Sequence, residues 1–194
     1  MARQLKAEER IGMEFTSNEG CKFFIKEYIN SHDVTVKFMD EYGAEVHTQW
    51  NKCKDGGVKN PYFKSIFGVA CLGEGDFVIK INGKLTKEHA LWRNMIKRCY
   101  SDKYHEKQPT YANCYVCERW LCYANFLEDL PLIENYELWM NGVEKMSLDK
   151  DIKQAGVENK VYSLETVKFI TVSENSRESA KRMHSKNDKN QVQL

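Results

Sequence analysis

Two carboxylates flank a lysine in the segment Asp149-Lys150-Asp151, which directly precedes a loop containing Gly156. Carboxylate oxygens suit Mg²⁺ or Mn²⁺, and such an ion neutralises the charge that develops on a phosphate during its hydrolysis. Asp149 is the better candidate ligand because it comes directly before the loop. Residues two apart on a strand face the same side, so the pattern predicts that Asp149 and Asp151 point one way and Lys150 the other.

Thiol and imidazole groups form a second candidate site at Cys99, His105, Cys114 and Cys117. Cys114 and Cys117 are spaced to grip one zinc ion, and Cys99 and His105 would complete a tetrahedron. The spacing between the pairs matches none of the common zinc modules. The chain has seven cysteines, an odd number, and no secretion signal, which favours reduced thiols packed in the core over zinc.

The acidic segment lies in a stretch, residues 147–176, whose pattern predicts strand, tight loop, strand and helix. An apolar run marks the second strand, at Val167, Phe169, Ile170 and Val172. A new helix start follows at 173–175. Thr166 and Asn175 are further oxygen donors in this stretch, close to where the strands and the helix would meet.

The rest of the chain supplies elements that would position this stretch. Short segments separated by Gly, Asn and Asp turns predict strands at 13–15, 21–29, 34–38 and 45–53, with closing strands at 65–70 and 77–81. An apolar stripe at three-and-four spacing predicts a helix from Lys87. A second helix is predicted over 118–129, ended by Pro131.

These elements predict an α+β protein. Residues 1–85 are expected to form a small all-β module, SH3-like or related, built as a small β-barrel or a curled antiparallel sheet. Residues 86–180 are expected to contain the helices and the strand, loop, strand and helix stretch. Residues 181–194 are expected to form a basic, mobile tail.

The charges nearly balance, with 29 Lys and Arg against 28 Asp and Glu and a formal net charge of +1. Phosphate affinity depends on local clusters of cations, so the balance argues against a protein that simply coats DNA but not against DNA binding. The candidate DNA contacts are Arg93, Lys97, Lys160, Arg177, Lys181 and Arg182. Neither a signal peptide nor an apolar run of membrane-spanning length is present, so we expect a cytoplasmic protein with no membrane partner.

Several blocks between residues 91 and 175, taken in order, resemble phage-encoded proteins related to HNH homing endonucleases. The matching residues are Trp92-x-x-Met95-x-x-Arg98-Cys99-Tyr100, Pro109-Thr110-Tyr111, Val116-Cys117-Glu118-x-Trp120 with Asn125-Phe126, Leu148-Asp149-Lys150-Asp151-Ile152, Asn159-Lys160-x-Tyr162-Ser163-x-Glu165-Thr166 and Glu174-Asn175. They cover a little under half of the chain. The resemblance implies a C-terminal HNH finger of the ββα-metal type, a DNA nuclease that uses Mg²⁺ or Mn²⁺, and an origin in a phage or another mobile element of a bacterial host cell.

The resemblance also implies roles for individual residues. Asp149, Thr166 and Asn175 would hold the divalent ion, and Lys150 or Asp151 would occupy the position of the base. In a standard HNH finger the first strand ends in Asp-His, with His as the general base, and here Lys150 stands in the place of His. Thr166 stands where the helix normally gives a metal-binding Asn or His, and none of the five histidines lies in the finger.

Two functions from different classes follow. The first is a metal-dependent endonuclease that hydrolyses the phosphodiester bonds of double-stranded DNA. The second is a catalytically inactive, nuclease-derived binding protein, which would act as a DNA-binding regulator or as a phage counter-defence factor on a host defence protein. A third interpretation is a plain α+β protein in which Asp-Lys-Asp is a surface turn.

Overall fold

The computed structural model describes residues 6–142, 144–178 and 180, and these form a mixed α+β protein, as the sequence predicts. The tail predicted at 181–194 lies outside the described residues, and so do Lys181 and Arg182.

The chain divides into two compact units, Met1–Asp76 and Phe77–Leu194. This division lies before the predicted boundary at 85–86. The difference arises because the residues after Asp76 pack within the second unit. The Phe77 ring meets the Tyr123 ring edge-on, with centroids 5.1 Å apart, and the segment that follows leads directly into a long helix.

The first unit is built on a four-stranded antiparallel sheet in which neighbouring strands follow one another in the sequence. Its strands are β1 (Glu14–Thr16), β2 (Lys22–Asn30), β3 (Asp33–Phe38) and β4 (Glu45–Thr48). β-Branched and aromatic residues suit this half-buried, pleated setting. They form a core that includes Phe23, Ile25, Val34, Val36 and Phe38. Within the described residues the sheet does not close, so the barrel alternative is wrong and the antiparallel sheet is confirmed.

The strand predicted over 45–53 is too long. It ends at Thr48, and a short helix, α1 (Trp50–Lys54), takes the place of its second half. The helix buries Cys53 in the core and sets the Trp50 ring edge-on to the Phe15 ring, with centroids 5.7 Å apart. These tertiary contacts override the local preference for a strand.

The closing strand predicted over 65–70 is reduced to one bridge, between Ile66 and Ala70. Phe67 and Gly68 have φ angles of 51° and 72°, and this left-handed backbone turns the chain back at once. A turn so tight leaves no room for a ladder of paired residues.

The second unit contains short strands and helices. They are β5 (Lys80–Ile81), β6 (Lys84–Leu85), α2 (Lys87–Tyr100), α3 (Asp102–His105), β7 (Cys114–Val116), α4 (Tyr123–Asp129), α5 (Tyr136–Asn141), β8 (Met146–Asp149), β9 (Lys160–Tyr162), β10 (Lys168–Thr171) and a helical segment at 172–178. None of the helices in the described part of the chain is long and apolar enough to span a membrane.

The long helix α2 confirms the predicted helical stripe. Thr86 caps its start, because its hydroxyl accepts a hydrogen bond from the His89 N–H. The buried stripe includes Trp92, Met95, Ile96 and Cys99. The Trp92 Nε1–H donates to the Trp120 carbonyl at 2.7 Å and so ties α2 to the segment before α4.

The second predicted helix is interrupted. A 3₁₀ turn covers Glu118–Leu121, Cys122 is extended with φ −99° and ψ 123°, and α4 begins at the next residue. Arg119 Nε and Trp120 Nε1 both donate to the Asp129 carboxylate at the end of α4, at 2.9 and 2.8 Å. These bonds hold the turn against α4, which an unbroken helix would not allow.

The stretch that contains the acidic segment has a more complex topology than the predicted hairpin. β8 pairs antiparallel with β10, and the helical segment at 172–178 follows β10 directly. The connection between these two strands contains β9, which pairs in parallel with β7 instead. The prediction of a tight loop between the two strands is therefore wrong, because the residues after Asp151 include a strand with its own partner. The predicted order of two paired strands followed by a helix is present.

His89 is a buried histidine of α2 whose two ring nitrogens have no hydrogen-bond partner within the described residues. Its ring lies edge-on to the Tyr123 ring, with centroids 5.0 Å apart. Burial, and then the charges of Arg93 and Lys80, lower its pKa below 6.5. The unfolded chain therefore binds more protons than the folded chain, and stability falls as the pH drops below about 6.5.

We expect His89→Phe to raise the free energy of unfolding by about 1–2 kcal/mol at neutral pH, because it ends the burial of two unpaired polar atoms. The gain should be larger at pH 5, because the variant loses the proton-linked destabilisation. Urea unfolding at pH 5 and pH 7.5 measures both effects, with the exposed His32→Phe as the matched control. An unchanged pH dependence in His89→Phe would contradict this account.

Candidate functional site

The Asp149-Lys150-Asp151 segment spans the end of β8 and the turn that follows. Asp149 is the last residue of β8 and is 5% exposed. Its Oδ2 accepts hydrogen bonds from the backbone N–H groups of Asp151 at 2.9 Å and Ile152 at 2.8 Å, so the carboxylate closes the turn. Because the strand ends at Asp149, the predicted alternation of the two aspartates on one face of a strand is wrong.

Lys150 is a buried cation, with only 5% of its surface exposed. Its Nζ donates to Asp151 Oδ1 at 3.1 Å and lies 4.8 Å from the centre of the Tyr111 ring and 5.6 Å from that of Tyr162. Lys160 Nζ donates to the same Asp151 oxygen at 2.5 Å. A carboxylate partner and aromatic faces are the contacts that offset the cost of burying an ammonium group.

The ionisation of Lys150 and Asp151 follows from this pairing. Burial acts to lower the pKa of Lys150, but the charge of Asp151 and its hydrogen bond outweigh burial and raise it. Burial acts to raise the pKa of Asp151, but the hydrogen bond from Lys160 and the charge of Lys150 lower it to about 2. At neutral pH the two groups are an ammonium and a carboxylate, and neither suits a general base, which needs a pKa near the working pH.

Gln154 and Thr166 hold the loop around this ion pair. The Gln154 amide donates to the carbonyls of Lys150 and Val161, both at 2.8 Å, and accepts from the Val161 N–H at 2.9 Å. Thr166 Oγ1 donates to the Val161 carbonyl at 2.6 Å and accepts from the Ser163 N–H at 2.9 Å. Sequence reasoning missed Gln154, because a polar loop residue is normally solvated and nothing in its neighbours marks it as buried.

Each of the three predicted metal ligands has a hydrogen-bond partner in the structure. The Asp149 carboxylate and the Thr166 hydroxyl are bonded to backbone groups of different turns, and Asn175 Nδ2 lies 3.5 Å from Ser147 Oγ. Within the described ranges, no group of three or more His, Cys, Asp or Glu side chains could hold a metal ion. A divalent ion of this kind takes several oxygen ligands, and the Mg²⁺ or Mn²⁺ site stays a prediction.

The cysteines and histidine of the predicted zinc alternative are also engaged separately. Cys114 Sγ lies 3.6 Å from a backbone carbonyl, and His105 Nε2 lies 2.9 Å from the Arg98 carbonyl oxygen. Burial raises the pKa of Cys99 to about 12 and raises the pKa values of the other two cysteines of the set. Cys99 and Cys114 are buried, as the alternative of reduced thiols in the core expects, and the zinc site stays a prediction.

Two of the predicted DNA contacts lie together on α2. Arg93 and Lys97 are exposed and one helical turn apart, and Lys97 Nζ lies 5.7 Å from the centre of the Tyr104 ring. Arg177 is exposed in the last helical segment. Lys160, in contrast, is turned inward onto Asp151 and has a structural partner instead of a free ammonium group.

A cavity of about 160 Å³ lies between α2 and β8. Its polar lining includes Asn94 and Arg98 from α2, Ser147 from β8 and Tyr162 from β9. Arginine, amide and hydroxyl groups are the side chains that bind phosphate oxygens in protein–DNA complexes. The helix that carries the exposed basic pair thus also lines a cavity beside the acidic segment, and apolar side chains complete the lining: Leu91, Met95, Met146 and Leu148.

The chain matches no protein-family model, no curated protein and no solved structure. The geometry of its own residues therefore carries the functional conclusion.

Proposed function

We propose that this chain is a phage or mobile-element protein that carries an HNH-like ββα unit, binds double-stranded DNA through α2 and does not cleave it. The unit consists of β8, β10 and the helical segment at 172–178. One observation carries the proposal. The buried Lys150 is kept as an ammonium by Asp151, at the position where the resemblance implies the general base.

Hydrolysis of a phosphodiester needs a group that takes a proton from the attacking water. Lys150 already holds its proton, and Asp151 is committed to two ammonium groups. Asp149 is committed to the backbone of the turn. Each side chain that the resemblance assigns to catalysis therefore has a structural role, which supports a scaffold that keeps the fold of a nuclease without its reaction.

DNA binding is supported by the surface of α2. Arg93 and Lys97 present two cations one turn apart, and Arg98 and Asn94 line the cavity beside them. Such a row contacts successive phosphates without reading sequence. Because the net charge of the chain is near neutral, we expect the affinity for DNA to be limited to the surface that carries Arg93 and Lys97.

The double variant Arg93→Ala/Lys97→Ala is expected to weaken binding to a 30-base-pair duplex about tenfold or more and to reduce the slope of log affinity against log salt by about two. Fluorescence anisotropy over a NaCl titration measures both quantities. The double variant Lys22→Ala/Lys64→Ala removes the same charge from exposed positions of the first unit and serves as control. Equal slopes in the α2 variant and in this control would remove α2 from the interface.

An active nuclease is the second candidate function, favoured by the position of Asp149 at the end of a strand that is paired with the strand before a helix. A plasmid assay in Mg²⁺ or Mn²⁺, with a chelator control, separates the two candidates. We expect the plasmid to be retarded on a gel and to stay supercoiled. Metal-dependent nicking that Asp149→Asn abolishes would establish the nuclease instead. If the plasmid is neither nicked nor retarded, both candidates are excluded and a protein partner remains, such as a host defence protein.

A further inference from the structure

The hairpin formed by β5 and β6 is exposed along its whole length. All six residues from Lys80 to Leu85 are solvent-exposed. Lys80 pairs with Leu85, and Ile81 pairs with Lys84. The Asn-Gly pair between the strands has φ angles of 51° and 76°, and positive values at both positions are typical of the type I′ turn that suits a twisted two-stranded ribbon.

The hairpin exposes aliphatic side chains on both faces. Ile81 is 61% exposed and Leu85 is 41% exposed. Directly paired residues share a face, so one face carries Lys80 with Leu85 and the other carries Ile81 with Lys84. A two-stranded ribbon with no apolar cover is marginally stable in water. Each face combines an ammonium group with an aliphatic side chain that gains from being covered by a partner.

The hairpin and α2 lie in a stretch of the chain in which basic residues outnumber acidic residues. Residues 77–101 contain one acidic residue, Glu88. Their basic residues are Lys80, Lys84, Lys87, Arg93, Lys97 and Arg98. The charges of Arg93 in α2 and Lys80 in the hairpin both lower the pKa of His89, so the two cations lie near the same buried side chain. The ribbon contributes the exposed cations Lys80 and Lys84, and the helix contributes the exposed cations Arg93 and Lys97.

We propose that the β5–β6 hairpin enters the major groove of B-form DNA while α2 follows the adjacent backbone. The inference rests on the DNA binding proposed above and names the element that reads the groove. The major groove is roughly 12 Å wide and admits a two-stranded ribbon. The ribbon stands edge-on in the groove, so that each of its two faces meets one wall. Lys80 and Lys84 then contact the phosphates of the two walls, and Ile81 and Leu85 contact base edges, where the thymine methyl group is the apolar feature.

Two double variants separate the charge of the hairpin from its apolar contacts. Lys80→Ala/Lys84→Ala is expected to reduce the slope of the salt dependence by about two. Ile81→Ser/Leu85→Ser is expected to weaken binding about tenfold at every salt concentration and to leave the slope unchanged, because it removes apolar contact and no charge. Because serine has a low strand preference, Ile81→Thr/Leu85→Thr provides a second variant with β-branched residues at both positions.

The groove is identified by removing the thymine methyl groups. A duplex in which uracil replaces thymine is expected to bind the unaltered protein about threefold more weakly, since each lost methyl contact is small. The Ile81→Ser/Leu85→Ser variant should bind the two duplexes equally. Anisotropy with both duplexes measures this difference, and the Lys22→Ala/Lys64→Ala control should retain the full preference for thymine.

The outcomes distinguish this proposal from the function on which it rests. If Arg93→Ala/Lys97→Ala weakens binding while the hairpin variants bind as the unaltered protein does, the ribbon is not a DNA element and the proposed function stands. Equal binding of the thymine and uracil duplexes by the unaltered protein would overturn insertion into the major groove. If the unaltered protein binds no duplex, both proposals fail together.

Discussion

Replacing Asp151 with alanine is expected to lower the free energy of unfolding by about 3 kcal/mol, because it leaves the buried Lys150 ammonium without its carboxylate. Removing one partner of a buried ion pair costs more than the pair itself contributes, since the remaining charge stays out of water. Lys160, which binds the same Asp151 oxygen, also loses its partner. Urea unfolding at pH 7 measures the loss.

The companion variant Lys150→Met isolates the uncompensated charge. It removes the buried ammonium and keeps a side chain of similar length, while Lys160 continues to pair with Asp151, so its cost should be well below that of Asp151→Ala. The combined variant Asp151→Ala/Lys150→Met should recover a large part of the lost stability. Equal stability of Asp151→Ala and the unaltered protein would show that Lys150 is not held by this carboxylate.

The same pair gives the protein a characteristic response to acid. The pKa of Asp151 is about 2 in the folded chain, against 3.8 for an ordinary aspartate. Because the folded value is the lower one, the stabilisation is fully present above about pH 4 and is lost as the pH falls towards 2. Asp151→Ala should lack this part of the acid dependence.

Replacing Asp149 with alanine is expected to cost about 2 kcal/mol, because the N–H groups of Asp151 and Ile152 lose their acceptor. Asp149→Asn keeps an oxygen at this place and should cost about half as much. Urea unfolding of the two variants side by side measures the difference. Two variants that are both as stable as the unaltered protein would mean that the charge and the oxygen of Asp149 are dispensable for the turn.

This second result decides how the function is tested. If Asp149→Ala destabilises the turn, its failure in a nicking or binding assay reports on folding as well as on chemistry. Asp149→Asn is the informative variant, because it retains the acceptor of the turn but removes the charge that a divalent ion would need.

The sequence predicts the elements better than it predicts their partners. Helix α2 could be located because Trp92, Met95 and Ile96 repeat at helical spacing, and the strand before the last helical segment could be located from its apolar run. The end of the strand expected from Glu45 could not be located, because a helix begins at Trp50 and is stabilised by contact of the Trp50 ring with the Phe15 ring, which is distant in the sequence. Periodicity carries no information about such contacts.

The sequence predicts which residues form the candidate site but not how they are arranged. The sequence singles out Asp149-Lys150-Asp151, but two of the groups that surround Lys150, the rings of Tyr111 and Tyr162, come from separate segments of the chain. A lysine in a polar loop is predicted to be solvated, because burial depends on which segments fold over it. The enclosure of Lys150, and with it the argument against a base at this position, required the tertiary structure.

The parallel pairing of β7 with β9 also bears on the order in which the chain acquires its structure. In the first unit each strand pairs with the next strand in the sequence, and such short-range pairings form rapidly. In the second unit β7 can pair only after β9 has been synthesised, and β9 also supplies Tyr162, whose ring lies next to Lys150. On a ribosome the first unit is therefore complete while the lysine is still hydrated, and the enclosure of that charge is one of the last steps of folding.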